Sequence, residues 1–365
     1  MKRIIVLVSN DLSYDQRVAK TCTWWHNQGY SVTLIGFSKR QSSPVSFDFA
    51  SIRFLNPFQQ GVLFYAWIQF RLFFYLLFQR TTFVWCNDLD TLWPAVALKR
   101  LKKWEIVYDA HECFTESVGL MNHRFKRNLW LRLEQFCIPR ADHCYTVSKG
   151  IQKFYQAHYS HPFEVIRNLP DLSVEPKSIE KPKVWEGRQI LIYHGVFNPH
   201  RGLEELIQAM PTLSDAILIL IGYGEQEGVL KDKVSSLNLS ERVFFTGPME
   251  YPKILGLLKH ADLGIALEKP VSISFTNALP NKIFDYARVG LPFVTLGNPE
   301  VKSILEKYPI GQIVHSLDTD KLADGITRCI RQKQAQEAMY AAARESFFQD
   351  NNAELEWSVL KAILK

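Results

Sequence analysis

Two stretches of this chain alternate short, apolar, β-branched runs with longer segments of helical period. The first stretch contains the runs IIVLVS, SVTLIGF, TFVWCN, EIVYDA and HCYTVS, and the second contains QILIYHG, AILILIG, RVFFTG, DLGIAL and LPFVTL. Such runs are typical of parallel strands that are buried on both faces by the helices between them. The pattern predicts an α/β protein with two Rossmann-like, doubly wound domains facing a central cleft.

A charged, proline-bearing stretch at 175–188 separates the two series of runs and has the composition of an interdomain linker. A length of 365 residues also suits two domains. We expect an N-terminal domain at 1–172, a linker at 173–188 and a C-terminal domain at 189–345. The remaining residues, 346–365, have helical spacing, and we expect a terminal helix that crosses back to the N-terminal domain.

Composition excludes several classes of protein. With 47% apolar and 22% charged residues, the chain is neither disordered nor collagen-like. Its six cysteines form no Cys-x-x-Cys pair, so neither disulfides nor a structural zinc site is expected. The first apolar run, residues 4–8, is too short for a signal peptide. These features predict a cytoplasmic globular protein.

Positive charge is concentrated near the N-terminus, where residues 1–105 contain 13 Lys and Arg but only 6 Asp and Glu. This excess suits an acidic partner: a nucleic acid, a phosphorylated substrate or an anionic membrane surface. The same region contains the apolar stretch 62–78, interrupted only by Gln69 and Arg71. It could be a helix packed on the sheet or a membrane-surface helix, with Arg71 and Arg80 at the lipid boundary. A spanning helix is disfavoured because it needs about 20 apolar residues.

The ends of the strands in the second domain carry the candidate ligand-binding residues, because ligands of doubly wound sheets bind beyond the carboxyl ends of the strands. A cation beside a helix N-terminus suits a phosphate or diphosphate, although an ordinary loop with an exposed arginine has the same sequence. Glycines at these junctions allow close backbone approach, although they are also common in turns. The residues at these junctions are Gly195, Arg201, Gly202, Gly222, Gly224 and Gly247.

The segment 271–294 adds a second candidate phosphate site. Pro280 predicts a helix that begins near Asn281, after a polar loop. Lys282 falls in the first helical turn, where a cation is unfavourable to the helix dipole unless an anion lies nearby. Asp285, one turn further on, could accept both hydroxyl groups of a ribose.

Several ordered motifs resemble the retaining glycosyltransferases of the GT-B fold, family 4. They are DQRVAK, NDLDTL, YDAHECFTE and TVSKGI in the first half, and HGVFNPHRGLEELIQAM, RVFFTGPM and residues 277–292 in the second. The resemblance covers nearly the whole chain. It implies an enzyme that moves a sugar from a nucleotide-sugar donor to a polysaccharide or lipid-linked oligosaccharide in cell-surface glycan synthesis. It implies retention of configuration and no metal or other cofactor.

The resemblance also assigns roles in the second domain. Arg201 matches the basic residue that binds the donor diphosphate, and Asp285 matches the acidic residue that holds the donor ribose. Asn277 stands where the family has a Glu that meets the donor sugar, and Val196 replaces a family Arg. Lys282 is therefore our candidate for the second phosphate cation.

In the first domain, His111 resembles the histidine that lines the sugar site near the reacting carbon, although a capping or core histidine fits the same sequence. We expect Glu112 to position it or to meet the acceptor. Arg17 could belong to a structural ion pair, and Asp15 is better interpreted as a helix cap.

Asp88-Leu89-Asp90 has the Asp-x-Asp spacing that binds manganese in the other glycosyltransferase fold. Here it follows a strand of the first domain, and Asp90 is better interpreted as part of a helix start, so no metal site is expected. A nucleotide-sugar epimerase or hydrolase of the same fold remains open, as does a non-catalytic nucleotide or nucleic-acid binding protein. The expected partners are a nucleoside-diphosphate sugar, a glycan or lipid-linked acceptor and an anionic membrane surface at the N-terminal domain, with no nucleic acid.

Overall fold

The computed structural model describes residues 2–10, 16–38, 47–58, 61–121, 123–335 and 337–362. The chain divides into two compact units. Unit 1 comprises the described residues of Met1–Asn168, Ser272–Ser274 and Glu356–Lys365, and unit 2 comprises those of Leu169–Val271 and Phe275–Leu355. Each unit contains one parallel sheet covered by helices, as the two series of apolar runs predict.

The strands of unit 1 are β1 (Arg3–Leu7), β2 (Ser31–Ser38), β3 (Ala50–Leu55), β4 (Phe83–Asn87), β5 (Glu105–Ala110), β6 (His143–Thr146) and β7 (Glu164–Val165). Its helices are α1 (Gln16–Asn27), α2 (Val62–Leu77), α3 (Leu89–Lys102), α4 (Val118–Met121), α5 (Arg124–Cys137) and α6 (Lys149–Tyr159).

Within the described part of unit 1, the sheet has the order β3-β2-β1-β4-β5-β6-β7. Strand order reverses between β1 and β4, and β4 pairs with β5 in parallel, from Phe83 opposite Glu105 to Asn87 opposite Asp109. The residues that follow β4 and β5 therefore meet at one edge of the sheet, which is where ligands bind in this architecture.

The strands of unit 2 are β8 (Gln189–His194), β9 (Ala216–Ile221), β10 (Val243–Gly247), β11 (Leu263–Ala266), β12 (Phe293–Thr295) and β13 (Gly311–Ile313). Its helices are α7 (Leu203–Ala209), α8 (Glu227–Ser236), α9 (Tyr251–Leu258), α11 (Asn281–Arg288), α12 (Pro299–Lys307), α13 (Thr319–Ala335) and α14 (Glu337–Asp350). Two short helices include residues of both units, α10 (Ile273–Thr276) and α15 (Ala353–Trp357).

Among the described residues of unit 2, the sheet has the order β10-β9-β8-β11-β12-β13, and its pairs are parallel. Both neighbours of β8 come later in the chain, so the order reverses at β8. All six residues of β9 are buried, in agreement with an apolar run covered on both faces.

The segment expected as a linker, 173–188, lies within unit 2. Trp185 is 5% exposed and belongs to the core that contains β8 and β9. The backbone N–H of Lys177 donates to the carbonyl of Pro252 at 2.9 Å. At the other end of the chain, the residues from Glu356 onward belong to unit 1, where Trp357 is buried.

The apolar stretch 62–78 forms α2, which buries Ile68, Leu72 and Leu76 against the unit 1 core. Its other side exposes large apolar side chains, including Phe70 and Phe74. No helix in the described part of the chain is long and apolar enough to cross a membrane.

Candidate functional site

Glycines at the carboxyl edge of the unit 2 sheet bring two loops into backbone contact. Gly195 and Gly222 have φ of +134° and +138°, values that favour glycine. A Cβ atom on Gly222 would lie 1.9 Å from the Gly195 carbonyl oxygen. The Gly222 N–H also donates to the Gly247 carbonyl at 3.0 Å. The structure therefore brings these three candidate residues together, and a side chain has no room at Gly222.

The turn that contains Arg201 is fixed against the loop after β11. Gly202 has φ of +71°, and a Cβ there would lie 2.6 Å from the Leu267 carbonyl oxygen. The N–H of Lys269 donates to the carbonyl of His200 at 2.9 Å. At Gly224 a Cβ would lie 2.5 Å from the backbone of Phe197, so this glycine also allows a close approach.

Arg201 and Lys282, the two cations proposed for the donor phosphates, converge on one buried carboxylate. Glu268 follows β11, and its side chain is 3% exposed. Its Oε1 atom forms a short ion pair with Lys282 Nζ and lies 3.5 Å from Arg201 Nη1. Lys282 Nζ also lies 4.5 Å from the centre of the Tyr193 ring. The two cations thus share a single counter-ion.

Electrostatics keep Glu268 ionised. Burial alone would raise the pKa of its carboxyl group, but Lys282 and Arg201 hold that pKa below its usual value. One carboxylate opposes two cations, so these three side chains carry a net charge of about +1. The excess positive charge favours an anion beside these side chains.

A second cluster of polar groups lies one helical turn further along α11. Asp285 accepts a hydrogen bond from the Tyr251 hydroxyl at 2.5 Å, and its Oδ2 atom lies 3.6 Å from His194 Nε2. Burial, with a contribution from Lys282, lowers the pKa of His194 to about 3, so this imidazole is neutral. The Asp285 carboxylate thus lies between the Tyr251 hydroxyl and the His194 ring.

In unit 1, His111 follows β5 and lies between two carboxylates. Its Nδ1 atom is 3.3 Å from Asp88 Oδ2, and its Nε2 atom is 3.5 Å from Asp109 Oδ2. Asp109 is fully buried and accepts two hydrogen bonds from Arg17, at 2.6 and 3.0 Å. Arg17 is therefore a member of a buried ion pair, the structural role that the sequence allows.

Glu112 is held by its backbone and by its side chain. Its carbonyl accepts a hydrogen bond from the Tyr155 hydroxyl at 3.1 Å, and its Oε2 atom accepts one from Ser274, a residue of unit 1, at 3.4 Å. Tyr155 and Tyr159 also donate to the buried carboxylate of Glu134. The Tyr155 hydroxyl of α6 thereby holds the backbone that follows His111.

The remaining candidates are placed as follows. Asn277 lies half-buried between α10 and α11. Asp15 lies outside the described residues. Helix α3 begins at Leu89 with Asp88 as its N-cap residue, so Asp90 lies in the first turn rather than at the cap. Within the ranges that the structure describes, no group of three or more His, Cys, Asp or Glu residues has a metal-binding arrangement.

Sequence reasoning missed Glu268, His194 and Tyr251. Glu268 and His194 could have been found, because each lies at the carboxyl end of a predicted strand. Tyr251 begins a helix 34 residues before Asp285, and nothing in its local sequence indicates that partner. In the sequence, Asp88 belongs only to an Asp-x-Asp pair at which no metal site is expected, whereas the structure places it beside His111.

Two family profiles match consecutive parts of the chain. Residues 16–174 match "Glycosyltransferase Family 4". Residues 174–346 match "Glycosyl transferases group 1". Together they extend over both units.

Individual relatives are more distant. A chitobiosyldiphosphodolichol beta-mannosyltransferase of Candida albicans is 25% identical over 257 residues, which are 64% of this chain and 54% of that protein. An N-acetyl-alpha-D-glucosaminyl L-malate synthase of Bacillus anthracis is 23% identical over 172 residues, 46% of this chain and 43% of that protein. The chain spans about half the length of the curated relatives that it matches.

Solved structures share the fold over the full length. Sucrose-phosphate synthase from Thermosynechococcus elongatus has a TM-score of 0.78 at 16% identity, covering 100% of this chain and 98% of that one. Anabaena HepE in complex with UDP and glucose has a TM-score of 0.74 at 17% identity, and the match covers 100% of this chain and 99% of that one. Both likenesses concern the arrangement of strands and helices.

Proposed function

The chain belongs to the family 4 glycosyltransferases of the GT-B fold, and from this premise we propose that it transfers a sugar from a nucleoside-diphosphate sugar to a polysaccharide or lipid-linked oligosaccharide. The proposal includes retention of the anomeric configuration and a role in cell-surface glycan synthesis. Two similar proteins support the donor and acceptor classes. HepE was solved with UDP-glucose, and the Candida relative is named for a dolichol-linked substrate.

The observation that carries the donor proposal is the convergence of Arg201 and Lys282 on Glu268. Two cations beside glycines that expose their backbone, at the carboxyl edge of a parallel sheet, form a setting that favours a diphosphate. Asp285 lies on the same helix as Lys282, and in this proposal its carboxylate accepts hydrogen bonds from the ribose hydroxyl groups. The diphosphate and the ribose would thus be held by residues of one unit.

In the proposed reaction, the bond between the anomeric carbon and the diphosphate oxygen breaks, and a bond from an acceptor hydroxyl oxygen to that carbon forms. The acceptor proton passes to the departing diphosphate oxygen, so no protein nucleophile is required. Arg201 and Lys282 would stabilise the negative charge that develops on the leaving group. These cations could take the place of a divalent ion, and we expect EDTA to leave the rate of transfer unchanged.

Donor binding is tested first without assuming an acceptor. A panel of nucleoside diphosphates is screened for thermal stabilisation, since a ligand at a hundred times its Kd adds about 2.7 kcal/mol to the free energy of unfolding. We expect one base to give a clear shift and Arg201→Gln to abolish it. The matched control is Lys231→Gln, because Lys231 is an exposed cation of α8 paired with Glu227. If no nucleotide shifts the transition, the donor proposal fails.

Transfer itself is tested with the nucleotide sugar that binds. Asp285→Asn should reduce donor affinity because an amide cannot accept hydrogen bonds at both of its positions. The anomeric coupling constant of the product, measured by NMR, decides between retention and inversion. Release of free sugar without any acceptor product would instead support a hydrolase.

We also propose that the N-terminal unit, which would bind the acceptor, contacts an anionic membrane surface on the cytoplasmic face of the membrane. Exposed aromatic residues of α2 are accompanied by exposed apolar and basic residues of α5, such as Phe125 and Leu129 with Arg124 and Lys126. Apolar side chains flanked by cations are the pattern of helices that lie on anionic lipid. Ring contacts, including Tyr65 with Trp130 at 5.1 Å, join these two helices.

Sedimentation with vesicles tests this surface. The protein should pellet with vesicles that contain phosphatidylglycerol but not with pure phosphatidylcholine, and a change of exposed Arg80, Arg100 and Lys103 to Gln should weaken the binding. Lys231→Gln and Lys253→Gln, in unit 2, are the controls. Equal binding to both vesicle types, or no binding, would refute the membrane proposal and leave the donor site intact.

A further inference from the structure

His111 has a carboxylate at each ring nitrogen. Asp88 Oδ2 lies 3.3 Å from Nδ1, and Asp109 Oδ2 lies 3.5 Å from Nε2. A neutral imidazole has one N–H and one lone pair, so it would direct that lone pair at one of the two carboxylates. The imidazolium ion has an N–H on both nitrogens and suits both neighbours. The geometry therefore favours the charged ring.

Asp88 has a backbone conformation that is nearly restricted to glycine. Its φ and ψ are 60° and 166°, and an L-residue in this region is strained. Hydrogen bonds of its backbone and its side chain hold it there. The Asp88 N–H donates to the Asp109 carbonyl at 2.9 Å, its own carbonyl accepts from the Thr91 N–H at 3.3 Å, and its Oδ1 accepts from the His111 N–H at 2.9 Å. This conformation directs the carboxylate at both the backbone and the ring of His111.

The second carboxylate, Asp109, is already balanced by another cation. Arg17 contacts both of its oxygens and donates a further hydrogen bond to the Ile166 carbonyl at 2.7 Å. Because Asp109 and Arg17 form a buried, neutral pair, the charge of the His111 ring depends mainly on Asp88. Removal of the Asp88 carboxylate would leave a cationic ring beside a pair with no net charge.

On the basis of the proposed function, we propose that Asp88 is a positioning residue for glycosyl transfer: its carboxylate fixes the orientation of the His111 ring and holds that ring as a cation that accepts no proton during transfer. His111 would then supply fixed positive charge to the reaction. A metal role for the Asp-x-Asp spacing, which the sequence already disfavours, would not account for the contacts of Asp88 with His111.

The electrostatics of the surrounding groups agree. Burial alone would lower the pKa of His111, but the carboxylates of Asp88 and Asp109 raise it to about 9, while Arg17 acts in the opposite direction. Among the residues that the structure describes, the other titratable groups near His111 include Glu112, next in the chain, Asp90 on α3 and Tyr65 on α2. Burial, with the charge of Asp88 next, raises the pKa of Asp90 to about 7. Asp90 therefore adds only partial negative charge near neutral pH.

An NMR titration tests the proposal without any enzyme assay. The full-length protein is labelled with ¹⁵N-histidine, and the His111 resonance is assigned by its loss in His111→Gln. We expect a titration midpoint well above 6.5 in the wild type, lowered by at least one pH unit in Asp88→Asn. The matched control is Glu105→Gln. It removes a carboxylate whose Oε2 atom lies 3.1 Å from Nε2 of another histidine of unit 1, His143. It should leave the His111 midpoint unchanged.

Kinetics of the proposed reaction separate positioning from folding. In Asp88→Gly, glycine adopts the observed φ and ψ without strain. This gain offsets part of the stability lost with the carboxylate, so the variant should remain folded and unfold in one cooperative transition. We expect kcat to fall about tenfold to a hundredfold in both Asp88→Gly and Asp88→Asn. The donor KM should stay within about twofold, because the donor nucleotide binds to unit 2. The alkaline limb of kcat against pH should move to lower pH in Asp88→Asn.

Each outcome bears on one proposal. A wild-type midpoint near or below 6.5, a midpoint unchanged in Asp88→Asn, or a fully active Asp88→Gly would overturn the role of Asp88. A raised midpoint that depends on Asp88, in a protein that binds no nucleoside diphosphate, would support the positioning of His111 and refute the proposed function instead.

Discussion

Replacing Glu268 by glutamine should destabilise unit 2 more than replacing its partner Lys282 by methionine. The ion pair is almost fully desolvated, with side chains 3% and 8% exposed. Glu268→Gln leaves Lys282 and Arg201 together without their shared carboxylate. Lys282→Met leaves Glu268 with Arg201 at 3.5 Å, and the thioether side chain can still pack on Tyr193.

The magnitudes follow from the cost of isolating a buried charge. Breaking a buried pair costs about 3 to 5 kcal/mol when the remaining charge has no partner. We expect about 3 kcal/mol for Glu268→Gln and about half of that for Lys282→Met. In a domain of this size, about 3 kcal/mol corresponds to a melting temperature lower by roughly 6 to 12 °C. The double variant Glu268→Leu, Lys282→Met should lie within about 1 kcal/mol of the wild type.

Unfolding of unit 2 can be observed separately, because Trp185 is the one tryptophan between residues 169 and 355. It is 5% exposed, so the ¹⁹F resonance of 5-fluorotryptophan at this position reports the loss of the unit 2 core. Urea titrations at pH 7 give the free energies of unfolding. Equal losses in the free energy of unfolding for Glu268→Gln and Lys282→Met would refute the shared counter-ion. A loss in the double variant equal to the sum of the two single losses would also refute it.

The pH dependence supplies an independent check on the same pair. The pKa of Glu268 is lowered in the folded protein, so its stabilising contribution is present above its unfolded pKa, about 4.3, and is lost as pH falls through the folded value. The difference in stability between the wild type and Glu268→Gln should therefore shrink below pH 4. A difference that stays constant down to pH 3 would contradict an ionised Glu268.

Three further predictions concern other parts of the chain. Gly222→Ala should lower the stability of unit 2 by at least about 2 kcal/mol, because the Cβ would lie 1.9 Å from a backbone carbonyl oxygen and φ is +138°. Gly228→Ala, in open space on α8, should instead raise the stability by up to about 1 kcal/mol. Both variants are measured with the same ¹⁹F probe. The pKa of His111 is raised from 6.5 to about 9, so unit 1 should lose up to about 3 kcal/mol of stability as pH rises from 6.5 through 9, and His111→Gln should remove this loss in urea titrations. Trp357→Ala should destabilise unit 1 by about 3 kcal/mol because its side chain is 5% exposed, while Leu355→Ala, at 55% exposure, should change stability by less than about 0.5 kcal/mol.

The sequence predicts the two sheets well because parallel strands buried on both faces must be nearly continuous in apolar residues. AILILI, for example, allows no other placement than a central strand, and it became β9 with all six residues buried. Local chemistry also predicts the start of α11, since Pro280 fixes the preceding backbone and the helix begins at Asn281. Gly195 and Gly222 were identified because close approach at a strand end requires glycine.

The interactions of the candidate site depend on residues that are distant in the chain. Glu268 contacts Lys282, 14 residues later, and Arg201, 67 residues earlier. Their meeting depends on the order of β8 and β11 in the sheet, which periodicity does not specify. Tyr251 was missed for the same reason, since its contact with Asp285 arises only when α9 and α11 pack together. The position of His194 at a strand end was visible in the sequence, but its contact with Asp285 was not.

By itself, the sequence determined the two parallel sheets, ten of the thirteen strands in the described residues and the strand ends at which chemistry could occur. The edge strands β3, β7 and β13 were not predicted. Hydrophobic period and glycine geometry are local properties, and they can be read from neighbouring residues. Only the tertiary structure decided which charges are paired. It paired Asp88 with His111 because β4 and β5 are neighbours in the sheet. It enclosed Glu268 between two cations because the loop after β11, the turn before α7 and the first turn of α11 lie together. Charge pairing and burial depend on residues that are distant in the chain, so the local sequence around a carboxylate does not show that it is held as a fixed charge.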